Sequence, residues 1–581
     1  MTTTSEWPLS NTAHGLLVAF GEFLQQHGLI QQLMQVPISQ KTMEFAPQTK
    51  MLEFFAGILS GIEYLSDLND GPQPLVQDTV VARAWGQNAF AHYSSVSRTL
   101  DCCDDDTVRA VEHAIETFSQ PFIRTALHEL LCTNATVVYD LDLMGQVVSP
   151  MSTTYPEVAF GWMDERVQLG YQVARICFRT PTQERLWLRG FHHPGDMVSL
   201  HCVQELIRTA EAQTGIRPRR RTELLRQRIA AHEAQRARPQ RLRAHQESKR
   251  THLQATQLRL QVQLAQAEQA QKRSISPSEM ARLVKRTQGW QARLPRLAHQ
   301  IAGCERAIAQ HQAALHHLDQ ELAELQEWLN TLEADNRTNP NPPLCEARMD
   351  SGFSSGPNLT WLIEMGYQVN TKAMGGLTTT ALRKTVAAEA VWTRVGDNAE
   401  MVPCARSTLH TCAYPLRLAL ERFKVRDTFQ YATLVQFRDP PCAPTLAEWF
   451  NSYNGRQLIE AGNKESKSGV FHVQHLMSRA PAGIRLQVLF ATLAANIVHW
   501  STPWLRACAA PLTPKLSRTL NSPKHMVRVA ANSAALVQQT PSGTSLRFAP
   551  TSALPGTILM LKGIPAFQLP LELFFTMQNR N

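Results

Sequence analysis

The chain has 581 residues, 43% of them hydrophobic and 7% aromatic, with 58 Lys and Arg against 49 Asp and Glu, a net charge of +9 and a pI near 9.0. That length exceeds one compact core and implies several domains, the apolar content excludes a chain too polar to bury ordinary cores, and the basic balance suits a polyanionic partner such as DNA. The 11 Cys are scattered, without Cys-x-x-Cys or zinc spacing, and read as reduced thiols of a cytoplasmic protein.

Residues 1–8 have neither a basic start nor an apolar core and are not expected to be a signal peptide. From about 14 to 131 the pattern is helical, with apolar residues at helical spacing over 16–24 and 51–65. The run Ser94-Ser95-Val96-Ser97 opens like a capped helix.

An apolar run at 137–143, Val-Val-Tyr-Asp140-Leu-Asp142-Leu, reads as a buried strand ending in acids that an interior does not tolerate unpaired. Strands are expected at 158–162, 171–178 and 185–190, then a helix over 197–213.

Residues 215–336 are rich in Gln, Ala, Arg, Leu and Glu. Their second half repeats apolar or small residues from Leu294 to Leu332 at alternating three and four, as a coiled coil requires, with His311 in the seam. Ser276-Pro277-Ser278-Glu279 supplies an N-cap, a first-turn Pro and a capping-box Glu, and Pro295 is expected to kink the helix. The first half packs back as the other arm of a hairpin, and between Arg217 and Arg250 twelve Lys or Arg face three Glu, a local excess of +9. The arm suits DNA contact, dimerisation or a plain solvated span between lobes.

After the stiff linker 338–343, a strand leads into Arg348-Met-Asp350-Ser-Gly-Phe353, which places an Asp at a strand end before a turn. A helix over 358–365 and a strand over 366–369 follow. Strand-like runs at 390–395, 416–423 and 431–437 precede the next motif, and Trp392 and Trp449 are candidates to stack on a displaced base or to fill a core. The apolar run 486–500 is shorter than the ~20 residues that cross a bilayer and reads as a core helix. Short apolar runs at 526–529, 546–548 and 558–561 suggest a small β appendix.

The most informative stretch is Tyr453-Asn-Gly-Arg456-Gln-Leu-Ile-Glu460, continuing to Lys467. On one helix these four side chains fall within an arc of about 60°, so a carboxylate, two cations and a phenol share a stripe. The tetrad resembles the Tyr-Arg-Glu-Lys signature of DDE transposases of cut-and-paste insertion sequences. The run around Asp350 resembles that family's second-Asp motif, and Asp142 its first, although Met144 stands where the family commonly has Thr. The three occur in the family's order. Each motif alone also fits a plainer role: a solvated helix face, an acid capping a turn, an Asx-turn before Gly352.

The resemblance implies a ribonuclease H-like α/β core with an N-terminal helical domain, a long antiparallel coiled-coil insertion and a β-rich insertion. The expected division is 1–130 helical and binding terminal inverted repeats, 131–216 first part of the core, 217–336 hairpin, 337–375 second part with the second Asp, 376–445 β-rich insertion, 446–510 last part with the Glu helix, and 511–581 β appendix. Asp142, Asp350 and Glu460 are then the catalytic carboxylates, holding Mg²⁺ (Mn²⁺ can substitute), with Asp140 as the alternative to Asp142. Tyr453, Arg456 and Lys467 would hold DNA. Three carboxylates of this kind can place two divalent ions about 3.5–4 Å apart for phosphoryl transfer. The expected partners are double-stranded DNA, as element ends and target, and a second copy of the chain, since two ends must be joined. The same residues also suit a two-metal nuclease without strand transfer, and the hairpin with Met144 suits an inactive DNA-binding scaffold.

Overall fold

The computed structural model describes residues 9–41, 44–133, 135–182, 184–273, 276–387, 389–405, 407–409, 411–439, 444–540 and 543–564. The segment read as lacking a signal peptide, 1–8, lies outside the described residues. The chain divides into two units, 1–219 with 341–581, and 220–340.

In the first unit, helices Gly15–Gln26, Pro47–Ser60, Tyr93–Cys102 and Asp105–Cys132 share one apolar core with the helix Pro481–Cys508. Local chemistry sets their ends. Pro47 opens its helix and Gly61, at φ +73°, stops it in the left-handed region. Asp104 accepts from the backbone N–H of Thr107 at 2.8 Å to cap the next long helix. Phe55 stacks on Phe490 at 4.8 Å and Phe122 on Trp500 at 4.4 Å, so the 481–508 helix is the hub of this layer. It is 28 residues long, longer than the apolar run 486–500 suggested, and 89% of its most apolar stretch is buried. Among the described residues no other helix is long and apolar enough to cross a membrane.

The strands are β1 (Leu9–Thr12), β2 (Val137–Val147), β3 (Ala159–Met163), β4 (Arg166–Arg179), β5 (Arg185–Pro194), β6 (Cys345–Met349), β7 (Gln368–Lys372), β8 (Thr393–Arg394), β9 (Ala399–Pro403), β10 (Arg417–Val425), β11 (Thr428–Phe437), β12 (Ala535–Thr540), β13 (Gly543–Phe548) and β14 (Ile558–Leu561). Ten of them form one mixed sheet, ordered β3-β4-β2-β6-β7-β11-β10-β9-β8, with β5 also pairing β4 on the edge away from β2. Strands β2, β6 and β7 run parallel, and every other pairing is antiparallel. Strands β8 to β11 continue this sheet rather than forming one of their own.

Three expectations about elements need correction. The acids of β2 are not at its end, because pairing with β4 carries the strand on to Val147 after pairing with β6 stops at Leu141–Met349. The strand expected over 390–395 shrinks to the two residues of β8. The run 526–529 is a wide helical turn, His525–Ala530, in which Ala531 N–H bonds to the Met526 carbonyl at 2.8 Å and Met526 and Val527 turn into the core. The C-terminal strands β12, β13 and β14 instead form a sheet completed by β1 from the other end of the chain.

The second unit is a hairpin of two helices, Thr222–Gln271 and Pro277–Arg337. Ion pairs Arg220–Asp335, Arg226–Glu333 and Arg236–Asp319 step in opposite directions along the arms, so the arms are antiparallel. The capping box of Ser276 and Glu279 forms as the sequence indicates. The seam is buried at Leu297, Ile301, Cys304, Ile308, Leu315, Leu325, Leu329 and Leu332, and the first arm buries Leu225, Ile229, Leu260 and Ala267. Pro295, where a kink is expected, lies inside the continuous helix.

Candidate active site

The site is built where β2 and β6 part. Their parallel register pairs Asp140 with Arg348 and Leu141 with Met349, so the residues that follow, Asp142 and Asp350, emerge side by side at the point where the ladder ends. Backbone direction alone thus brings together two acids far apart in sequence.

The third carboxylate comes from above the sheet. Tyr453, Arg456, Glu460 and Lys467 are not on a single helix: Tyr453 ends the helix Leu446–Asn454, Arg456 sits at the junction, Glu460 lies in Gln457–Lys464, and Lys467 lies in the wide turn Glu465–Gly469. At the break the Arg456 N–H bonds to the Tyr453 carbonyl at 3.0 Å rather than continuing the helical ladder to Ser452. Arg348 donates to the Ser452 carbonyl at 2.6 Å, taking a last-turn acceptor, and Gly455 leaves room for the guanidinium groups of Arg179 and Arg348, with which a Cβ there would clash.

Arg456 is the centre of the cluster. Its guanidinium donates to Asp142 Oδ1 at 2.6 Å and to Glu460, and lies 3.8 Å from Asp350 Oδ2. Asp142 receives a second bond, from Asn463 Nδ2 at 2.7 Å. Asn463 in turn accepts from Arg175, at 3.1 Å, and Arg175 is the cross-strand partner of Asp142. Arg175 is buried against Trp187, 3.6 Å from the ring centre, and its bond to Ser466 at 2.6 Å ties the turn after the Glu460 helix to the sheet. Arg185 adds a second tie through Glu465 at 2.5 Å and packs where Gly462 leaves room.

The electrostatics follow from three carboxylates sharing one guanidinium. Burial pushes Asp142 up to about 6; Arg456 pulls the other way, and Asp350 and Glu460 add to the rise. Burial opposes the charge on Arg456, yet Asp142, Asp350 and their neighbours hold it above its ordinary value. Burial also raises Tyr453, which remains a neutral phenol beneath the Lys372 ammonium, 5.2 Å from its ring. Asp350 caps the following turn, accepting from the Gly352 N–H at 2.8 Å. Its side chain is 37% exposed and that of Glu460 is 47% exposed, so the cluster opens to solvent on their side.

Asp140, the alternative to Asp142, is elsewhere engaged. Its two oxygens accept from Arg348 at 2.5 and 2.6 Å, and both side chains are 2% exposed. Lys467 pairs with Asp164 at 2.7 Å, on the tight turn between β3 and β4. Trp449 is a core residue donating to Asn370 at 3.1 Å, whereas Trp392 is half-buried beneath the Arg422 guanidinium.

Sequence reasoning did not single out Arg175, Asn463 or Lys372. Asn463 carried a signal, three positions after Glu460 on the same helix face. The donor set of the carboxylate cluster fits a hard divalent cation, being all oxygen and short of positive charge. The three carboxylates are nonetheless spread around Arg456. Among the described residues, the group whose donor atoms all lie within 4.8 Å of one another is Glu63, His472 and His475.

No protein-family model matches the chain, and no curated protein matches it significantly.

Proposed function

We propose that the chain is a DNA transposase of an insertion sequence, cutting DNA at element ends and joining a 3′-hydroxyl to target DNA by a DDE mechanism. The observation that carries this reading is the convergence of Asp142 and Asp350, from adjacent parallel strands, with Glu460 around a single arginine. The strand order β5-β4-β2-β6-β7, antiparallel through its first half and parallel through its second, supports a ribonuclease H-like core.

Asp142, Asp350 and Glu460 would hold Mg²⁺, or Mn²⁺ in its place. When bound, such ions activate the attacking oxygen and stabilise the leaving one. Once released from Asp142 and Glu460, Arg456 would offer a planar fork to a backbone phosphate, and Lys467, released from Asp164, a point charge. The Tyr453 phenol, kept protonated by burial, can donate to the same phosphate. Arg175, through Asn463, holds Asp142 in place and is a positioning residue. The partners are duplex DNA and a second copy of the chain, in the cytoplasm.

The test is cleavage, in Mg²⁺, of a labelled duplex carrying the sequences that flank the gene, by the wild type and by Glu460→Ala. Cleavage lost in the variant with DNA binding retained supports the reading, and strand-transfer products separate a transposase from a nuclease of the same fold. No cleavage by the wild type in Mg²⁺ or Mn²⁺ overturns it in favour of a DNA-binding scaffold.

A further inference from the structure

Away from the carboxylate cluster, the loop that follows the Glu460 helix meets the loop that follows the helix Pro47–Ser60. His472 and His475 come from the first loop and Glu63 from the second. His472 is 3% exposed, yet neither of its ring nitrogens has a hydrogen-bond partner. His475 Nδ1 faces the Glu63 carboxylate at 3.0 Å, an ion-pair distance, but off hydrogen-bond geometry. The two His472 ring nitrogens, one an N–H and one a lone pair, are left unsatisfied in a buried ring, which costs free energy unless a partner or an ion takes up the lone pair.

The surroundings hold these groups in position. Asp67 accepts from the N–H groups of Glu63 at 2.9 Å and Tyr64 at 2.8 Å, fixing the first loop. The Tyr64 ring stacks on His475 at 5.0 Å and 12°. Gln487 donates to the His475 carbonyl at 2.8 Å and accepts from the Met477 N–H at 3.0 Å, and Gln146 donates to the Val473 carbonyl. His472 itself is held at φ +50°, in the left-handed region where a non-glycine residue is strained. A preset loop that presents the unpartnered, buried His472 imidazole beside a His475–Glu63 pair is a suitable frame for a ligand site.

We propose that Glu63, His472 and His475 bind a borderline transition-metal ion, Zn²⁺ in the first instance, with a fourth position left for water. Two imidazoles and a carboxylate select Zn²⁺, Co²⁺ or Ni²⁺ over Mg²⁺, which distinguishes this site from the carboxylate cluster. The donor atoms, all within 4.8 Å of one another, need only a small closure to reach the roughly 2.0–2.2 Å bonds of such an ion. Burial lowers the His472 pKa, which favours the neutral form that ligates. The bound ion pins the segment after Lys467 to the N-terminal helical layer.

The test uses the full-length protein, stripped with chelator under reducing conditions and titrated with Zn²⁺ and with Co²⁺, reading stoichiometry, affinity and the visible absorption of four-coordinate Co²⁺. Exposed Cys102 and Cys132 can bind zinc on their own, so the difference between wild type and variant is what decides. The wild type is expected to bind one more equivalent than Glu63→Gln and His475→Ala, or to bind it at least about tenfold more tightly, as even outer-shell changes do at metal sites. Excess Mg²⁺ is expected not to displace it. His472→Ala removes a buried side chain and can unfold, whereas Glu63 is 43% exposed at its side chain and its amide variant keeps the fold. Equal Zn²⁺ and Co²⁺ binding by wild type and Glu63→Gln, or displacement by Mg²⁺, overturns the proposal. Neither outcome bears on DNA cleavage, so the two readings fail separately.

Discussion

Asp140 and Asp142 sit two positions apart on one face of β2, and each meets an arginine, but the two sites differ in stoichiometry and in access. Asp140 and Arg348 form a closed, one-to-one, two-bond pair that solvent does not reach. Asp142 shares Arg456 with Asp350 and Glu460, two carboxylates that face solvent. A closed pair spends its charge on itself and fixes where β6 and the Ser452 turn lie. A shared arginine leaves uncompensated negative charge at an accessible edge, which is a condition for binding cations.

The contrast predicts opposite responses to mutation. Arg348→Ala strands the buried Asp140 and is expected to lower stability by about 3–5 kcal/mol in denaturant unfolding, with much of it restored in Arg348→Met combined with Asp140→Leu. Glu460→Ala is expected to leave the unfolding midpoint nearly unchanged and to lower Mg²⁺-dependent cleavage by about 10²–10³-fold, the range for losing one transition-state electrostatic group. If Glu460→Ala unfolds the protein as readily as Arg348→Ala, the distinction between closed and shared arginines is wrong.

Glu53 sharpens the comparison, because it is a fully buried carboxylate with no arginine. Burial pushes it up to about 8, against the Ala91 N–H, bonded at 2.7 Å, and Lys50. The folded state therefore holds a proton that the unfolded chain has released above about 4.5. Its contribution to stability is complete below that pH and is lost as pH rises toward 8, by up to about 1.4 kcal/mol per pH unit. Glu53→Gln is expected to flatten this slope, measured as unfolding free energy against pH. The smallest effect belongs to the exposed Lys467–Asp164 pair: Asp164→Ala should change stability by less than about 1 kcal/mol, and raise DNA affinity at low salt by freeing Lys467.

The sequence makes part of this site legible and hides the rest for physical reasons. Asp142 and Asp350 stand out because acids beside apolar strand runs are costly, and Arg456 and Glu460 because they are four apart. Helical spacing fails between Tyr453 and Arg456, where a guanidinium from a distant strand takes the Ser452 carbonyl. Spacing also misplaces the run 526–529, since a four-residue apolar stretch fits a strand or a helical turn equally. The pairing of β1 with β12 joins the two ends of the chain, a contact no local pattern encodes. Glu63 lies so far before His472 in the chain that no local pattern encodes their meeting.

The hairpin at 220–340 has a consequence for how the chain assembles. Arg348 lies 208 positions beyond Asp140, and more than half of that interval is the hairpin. Its two ends are stitched together locally, Arg220 N–H bonding Asn336 at 2.8 Å beside the Arg220–Asp335 pair at 3.0 Å. Once the arms zip, the chain that must close to bring β6 onto β2 is effectively about half as long. Halving a loop lowers its closure cost by only about 0.6 kcal/mol, so an insertion of this size is nearly neutral to the sheet it interrupts.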